Sequence, residues 1–233
     1  MPKLPHPGRA SSHASDAGAG EPEAAAFVLA GGQSRRMGQD KALLAFAGKP
    51  LIAHALRILG DAGLDAAIAG ARFPLHAYAS VVEDAHPDLG PLAGICAALR
   101  WTRARWCVFI PVDQPLLPAS LLESLLRRAQ ITASAITLSA INGFVQTLPV
   151  VLDRAVLPPL EDELDAGRRG CFSAFQAAAA RLHQPMAVLP VELLAQSGQA
   201  AHPDGLPAFR WFLNVNTPAD RRRGEMLFRR PIA

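Results

Sequence analysis

The chain has 233 residues and a mass of 24.7 kDa; half of its residues are apolar and 18% are charged. This composition is typical of a folded globular protein and excludes a largely disordered chain. A net charge of +3 is small for a protein that coats nucleic acid through many phosphate contacts, which argues against a nucleic-acid partner.

The N-terminal segment and the cysteines bear on location. Residues 1–24 are rich in Pro, Gly, Ser and Ala and lack the apolar core of a secretory signal, so we expect a disordered tail before one domain at residues 25–233. No apolar run approaches the roughly 18 residues of a membrane-spanning helix. Cys96, Cys107 and Cys171 lie far apart, which is typical of buried thiols and not of a zinc site. We therefore predict a cytoplasmic protein without membrane contact.

Short apolar runs alternate with amphipathic segments along the chain. Strands are predicted at 24–30, 66–71, 80–84, 106–113, 133–141, 146–153 and 185–191. Helices are predicted after Pro50, Pro91 and Pro118, over 171–182, and from Thr217 as N-cap with Pro218 in the first turn, whereas 196–210 is predicted to be a loop. This alternation favours an α/β fold in which helices cover both faces of a mostly parallel sheet.

The segment LAGGQSRRMGQDK, residues 29–41, ends the first predicted strand with two glycines and continues with three cations. Gly31 and Gly32 let backbone N–H groups approach an anion, while Arg35 and Lys41 supply positive charge. The pattern is neither a P-loop nor a dinucleotide fingerprint, and a tight turn with solvated cations is the alternative. Because ligands of open parallel sheets bind at the carboxyl ends of strands, this position favours a phosphate site.

Two carboxylates follow other predicted strands: Asp84 closes SVVED and Asp113 closes WCVFIPVD. If both strands neighbour the first one, both carboxylates lie where the glycine loop opens. At roughly 4 Å and an effective dielectric of about 20, each would repel a phosphate charge by about 4 kcal/mol. A hard divalent cation such as Mg2+ removes this conflict, and Asp113 is its predicted ligand. The alternative role for Asp113 is to cap the strand-to-helix turn.

Three further residues are weaker candidates for ligand contacts. Gly90, in GPLAG, begins a predicted helix, where a ligand can approach the backbone, although packing is the commoner role of such glycines. Asn214 and Asn216, in NVNTP, carry amides that can bind a ligand, hold a loop or cap the last helix.

Together these segments resemble the molybdenum cofactor guanylyltransferases, the MobA group of nucleotidyltransferases. The resemblance is carried by LAGGQSRRMGQDKALL (29–44), GKPLIAHAL (48–56), ED (83–84), GPLAG (90–94), PVDQPLLP (111–118) and FLNVNTPAD (212–220). It covers nearly everything after the tail and implies a Rossmann-like three-layer sandwich. The chain departs from the common family pattern at Ala69, where Asn is frequent, and at Val112, where Cys or Gly is frequent.

The resemblance also implies an activity, which is transfer of GMP from GTP to molybdopterin cofactor with release of pyrophosphate. It implies Mg2+ as cofactor, and cofactor-delivery or molybdoenzyme chaperone proteins as further partners. The implied nucleotide-binding residues are Leu29, Ala30, Gly31, Gly32, Lys41, Asp84 and Asp113, with Asp113 also binding the metal. Arg35 matches the motif's basic position by spacing and joins Lys41 and Asp113 as a catalytic candidate. The alternatives are a CTP-dependent cytidylyltransferase and a non-catalytic protein that binds nucleotides or nucleic acid.

Overall fold

The structure is a computed structural model that describes residues 22–31, 40–70, 75–84 and 89–228. The predicted tail up to residue 21 lies outside the described residues, and so do Gly32 and Arg35. The first strand begins at Ala24, the last residue assigned to that tail.

A seven-stranded sheet forms the middle layer, in the order β5-β4-β1-β6-β8-β7-β9. The strands are β1 (Ala24–Leu29), β2 (Ala45–Phe46), β3 (Lys49–Pro50), β4 (Ala66–Ala69), β5 (Val81–Val82), β6 (Trp106–Pro111), β7 (Ile136–Ile141), β8 (Phe144–Asp153) and β9 (Ala187–Pro190), of which β2 and β3 form a separate hairpin. β8 runs antiparallel to β6 and β7, and the other pairs in the large sheet are parallel. The prediction of a mostly parallel sheet is therefore confirmed.

Helices cover both faces of this sheet. They are α1 (Leu51–Asp61), α2 (Pro91–Trp101), α3 (Ala119–Thr132), α4 (Leu157–Asp165), α5 (Cys171–Arg181), α6 (Val191–Gln196) and α7 (Pro218–Phe228). Ala26 and Val28 of β1 pack with α1, α3 and α6, whereas Phe27 and Leu29 pack with α2, α4 and α5. The two faces alternate along the strand, so a strand buried on both sides reads as a continuous apolar run. The predicted three-layer sandwich is confirmed.

Proline marks the start of most predicted helices. Pro91 is the first residue of α2 and Pro218 the first of α7, while Pro50 and Pro118 are the N-caps of α1 and α3. The sequence analysis did not predict α4 and α6. α4 begins with Leu-Pro-Pro, which resembles a helix-breaking sequence although proline is accepted in the first turn of a helix. α6 has only six residues, too few to show a clear helical pattern. Within the described ranges, the helices are all too short or too polar to cross a membrane.

Candidate active site

The candidate site lies where β1 and β6 end side by side. The two strands pair in parallel, with Leu29 opposite Pro111, and the Val112 N–H donates to the Leu29 carbonyl oxygen over 3.2 Å. On the other side, the Ala30 N–H donates to the Ala69 carbonyl oxygen over 3.0 Å. The chain that leaves β1 therefore starts between the ends of β4 and β6, as the position of the glycine loop predicts.

Lys41 and Asp113 meet at this edge of the sheet. The Lys41 Nζ donates to Asp113 Oδ2 over 2.6 Å, and it also donates to Asn216 Oδ1. The Lys41 side chain is 24% exposed and that of Asp113 is 17% exposed, so both are accessible to a ligand while largely sheltered from water. Lys41 begins a short 3-10 helix whose N-cap is Asp40, and the Asp40 carboxylate accepts from the Ala42 N–H over 3.0 Å. This cap satisfies a backbone N–H at the start of the 3-10 helix that carries Lys41.

The segment that contains Asn214 and Asn216 is attached directly to the end of β6. The Val215 N–H donates to the Asp113 carbonyl oxygen over 2.8 Å, and Gln114 Nε2 donates to Asn214 Oδ1 over 3.1 Å. The Val215 side chain is buried in the hydrophobic core, which anchors this segment. Sequence reasoning missed Gln114, whose only signal was its position directly after the predicted metal ligand.

The last helix begins immediately after this segment, with a reciprocal cap. The Asp220 N–H donates to Thr217 Oγ1, and Asp220 Oδ2 accepts from the Thr217 hydroxyl at 2.8 Å and from the N–H groups of Thr217 and Asn216 at 2.9 and 3.2 Å. The hydrogen bond from the Thr217 hydroxyl, followed by those from the backbone, lowers the pKa of the Asp220 carboxyl. Thr217 thus serves as the predicted cap, and its partner also holds the Asn216 backbone.

Close backbone packing explains part of the glycine pattern. A Cβ on Gly31 would lie 3.0 Å from the Gly70 carbonyl oxygen, and Gly70 has a φ of +71°, which favours glycine. Gly94 of α2 packs on Gly70 from the other side, so this glycine of GPLAG is a packing residue. Gly90 has a φ of +84° and is the N-cap of α2; its contact with a ligand stays a prediction.

The strand order separates the two predicted carboxylates. β6 is a direct neighbour of β1, as the argument for Asp113 requires, but β4 lies between β1 and β5. The condition set for the two carboxylates is therefore met by the strand before Asp113 and not by the strand before Asp84, which pairs with β4. A nucleotide contact by Asp84 stays a prediction.

The donor atoms at the rim are of the kind that Mg2+ prefers. Asp113 offers carboxylate oxygens and Asn216 an amide oxygen beside it. Over the residues described, there is no group of three or more His, Cys, Asp or Glu side chains that could hold a metal by themselves. The arrangement fits a metal held by Asp113 together with ligand phosphates.

The three-layer α/β fold is shared with other solved structures. Molybdopterin-guanine dinucleotide biosynthesis protein A from Archaeoglobus fulgidus shares this fold, with a TM-score of 0.69 and 24% identity over 87% of this chain and 97% of its own. Rv0371c from Mycobacterium tuberculosis, in a complex with manganese, shares it with a TM-score of 0.57 and 22% identity over 88% of this chain and 98% of its own.

The family model of the MobA-like NTP transferase domain matches residues 26–191, and the chain belongs to this family. A molybdenum cofactor guanylyltransferase from Pseudomonas putida is 39% identical over 66% of this chain and 82% of its own length. A probable molybdenum cofactor guanylyltransferase from Haloferax mediterranei is 32% identical over 85% of this chain and 91% of its own. The protein is a nucleotidyltransferase. Asn214 and Asn216 lie beyond residue 191, so the segment against Lys41 is outside the matched domain.

Proposed function

We propose that the protein transfers GMP from GTP to the terminal phosphate of molybdopterin cofactor, yielding the guanine dinucleotide and pyrophosphate. The observation that carries this proposal is the contact between Lys41 and Asp113 at the carboxyl edge of the sheet, where a cation lies beside a carboxylate of the kind that binds Mg2+. The names of the Pseudomonas putida and Haloferax mediterranei relatives support the choice of guanylyl transfer and of the acceptor.

The proposed reaction is an in-line displacement at the α-phosphorus of GTP. A phosphate oxygen of the acceptor forms the new P–O bond, and the bond from the α-phosphorus to the oxygen that bridges to the β-phosphorus breaks. The pyrophosphate leaves with that electron pair. Because the attacking oxygen is already anionic, the protein needs no strong general base. Its task is to position the two substrates and to stabilise charge.

Lys41 holds the triphosphate in this proposal. Its ammonium group donates hydrogen bonds to the Asp113 carboxylate, which neutralises it, and to the Asn216 amide oxygen. A polyphosphate offers several anionic oxygens, and it therefore competes with Asp113 for Lys41. The Ala30 N–H is already bonded to the Ala69 carbonyl oxygen, so the backbone N–H of Gly31, which follows it, is the group proposed to approach the nucleotide.

Asp113 would hold Mg2+ together with phosphate oxygens of the nucleotide. When bound there, the ion would neutralise charge on the phosphates during transfer. Rv0371c, a protein of the same fold, has been solved in a complex with manganese, which is in keeping with the use of a divalent metal. The exchange of partners leaves both members of the pair neutralised, because Lys41 gains phosphate as Asp113 gains the cation.

Pyrophosphate release tests the proposal. Purified protein is incubated with molybdopterin cofactor, Mg2+ and one of GTP, CTP or ATP, and pyrophosphate is measured for each nucleotide. We expect release with GTP that depends on the acceptor. A clear preference for CTP would replace the guanylyltransferase by a cytidylyltransferase, and the absence of release with every nucleotide would reject nucleotidyl transfer to this acceptor.

A further inference from the structure

The C-terminal segment is attached to the molecule at two separate places. At the rim, Val215 and Asn214 bond to Asp113 and Gln114, as described above. At the other end, α7 packs on the β2–β3 hairpin. A Cβ on Gly224 would lie 2.7 Å from the Phe46 ring, so this glycine permits the close approach, and the Ala47 N–H donates to Glu225 Oε1 over 3.1 Å.

Asn216 lies between these two attachments, and its amide oxygen accepts from the Lys41 ammonium group. Its position relative to Lys41 therefore depends on both ends. The contacts of α7 with the hairpin hold the C-terminal side of Asn216, whereas the two rim bonds hold its N-terminal side close to Asp113. Of the two rim bonds, the one from the Val215 backbone N–H would form with any residue except proline at that position. The side-chain bond from Gln114 is the one that depends on residue identity.

Gln114 is well placed to transmit this constraint because it cannot move freely. The residue is 7% exposed and directly follows Asp113 in the chain. Its Nε2 bonds to Asn214, while its Oε1 is buried without a hydrogen-bond partner in the part of the chain that the structure describes. Losing the bond to Asn214 would leave the buried Gln114 amide group without any partner, and this cost favours keeping the bond, whereas Asn214 is exposed and can bond to water.

We infer that Gln114 is a positioning residue for the reaction: it acts through Asn214 to hold Asn216 against Lys41, and so keeps the lysine ammonium group directed at the rim. The expected effect on turnover rests on the proposed function, whereas the expected effect on the position of Lys41 does not depend on it. It assigns Asn214 a role in holding the segment and leaves Asn216 as the residue that contacts the lysine.

The first test measures the accessibility of Lys41 and needs no nucleotide. The rate at which acetic anhydride modifies Lys41 is followed by mass spectrometry in the full-length protein. Gln114→Ala and Asn214→Ala should each raise this rate by about fivefold, as expected for the loss of one hydrogen bond, and the double variant should match either single one. Ser120→Ala is the matched control, because Ser120 also ties a loop to a neighbouring element through bonds of 2.9 Å to Ala201, and it should leave the rate unchanged.

An unchanged rate in both single variants, or additive effects in the double variant, would overturn the inference. Two single variants keep the test decisive if one of them does not fold. The second test uses pyrophosphate release: Gln114→Ala should lower kcat by about fivefold while the KM for the nucleotide changes less than twofold. A rise in KM with kcat unchanged would contradict a positioning role. If wild type releases no pyrophosphate, the proposed function fails, while the modification rates still decide the role of Gln114.

Discussion

Lys41 Nζ lies 2.6 Å from Asp113 Oδ2, although 72 residues separate them in the chain. Lys41 comes from the segment after β1 and Asp113 from the end of β6, and the pairing of these two strands brings them together. The contact brings together the two charged groups that the sequence assigns to triphosphate and to metal, and each neutralises the other. Under the proposed function, the triphosphate takes the place of Asp113 at Lys41 and the metal takes the place of Lys41 at Asp113.

Loss of the Lys41 charge should slow transfer strongly. Lys41→Ala removes the cation that would stabilise the leaving pyrophosphate, and we expect kcat/KM for GTP to fall by about 10²-fold. Arg57→Ala is a suitable control, because Arg57 forms an exposed ion pair with Asp61 in α1 at 3.0 Å. The control should keep wild-type kinetics. A Lys41→Ala enzyme within twofold of wild type would contradict the assigned role.

The contact between Gly31 and Gly70 predicts different effects for two glycine substitutions. In Gly31→Ala the new Cβ would press on the Gly70 carbonyl oxygen at 3.0 Å, so the chain after β1 must shift. We expect the KM for the nucleotide to rise by about tenfold, which corresponds to roughly 1.4 kcal/mol of lost binding. Gly94→Ala would place its Cβ 3.5 Å from Gly70, an ordinary contact, and should bind the nucleotide as wild type does. Equal KM values for the two variants would refute this explanation.

The sequence predicted the parts of this site that depend on local pattern. Continuous apolar runs indicated β1 and β6, and prolines indicated the starts of α1, α2, α3 and α7. The carboxyl ends of parallel strands meet at one edge, so the position of Asp113 followed once those strands were neighbours. These predictions succeeded because each feature depends on a stretch of only about ten residues.

Features that depend on distant pairing could not be predicted. Nothing in SVVED shows that its strand pairs with β4 and not with β1, so the sequence left open whether Asp84 lies beside the end of the first strand. The bond between Gln114 and Asn214 joins residues 100 positions apart. From the sequence alone, Gln114 could be part of a turn and Asn214 could be a loop amide, and their contact forms only when the chain folds.

Burial of His54 predicts a loss of stability in acid. The side chain is buried, its Nε2–H donates to the Phe46 carbonyl oxygen over 2.8 Å, and burial lowers its pKa below the ordinary value of 6.5. Below about pH 6.5 the unfolded chain therefore binds a proton that the folded chain resists, so the free energy of unfolding falls as pH decreases.

Denaturant unfolding between pH 5 and 8 checks this prediction. His54→Gln keeps an N–H donor without a group that titrates in this range, so its stability should fall less between pH 7 and 5 than that of wild type. The residual slope should include His202, whose pKa burial also lowers. Identical slopes for the variant and wild type would show that His54 does not carry the effect.

The three cysteines should be unreactive in the folded protein. All are free and buried, and burial raises the pKa to about 12 for Cys96 and Cys107 and to about 11 for Cys171. Because the thiolate is the reactive form, a disulfide reagent at pH 8 should label none of them within minutes and all three in guanidinium chloride. Prompt labelling of any thiol in the native state would contradict this burial.

The most direct test of the site is the Mg2+ dependence of pyrophosphate release in Asp113→Asn. This change keeps the shape of the side chain but removes the negative charge that would bind the cation, and circular dichroism establishes that the fold is kept. If Asp113 holds the metal beside Lys41, the rate of pyrophosphate release from GTP should fall by about 10³-fold at about 1 mM Mg2+. Excess Mg2+ should restore only part of the lost rate. A folded Asp113→Asn enzyme with the wild-type rate and the wild-type Mg2+ dependence would contradict the account.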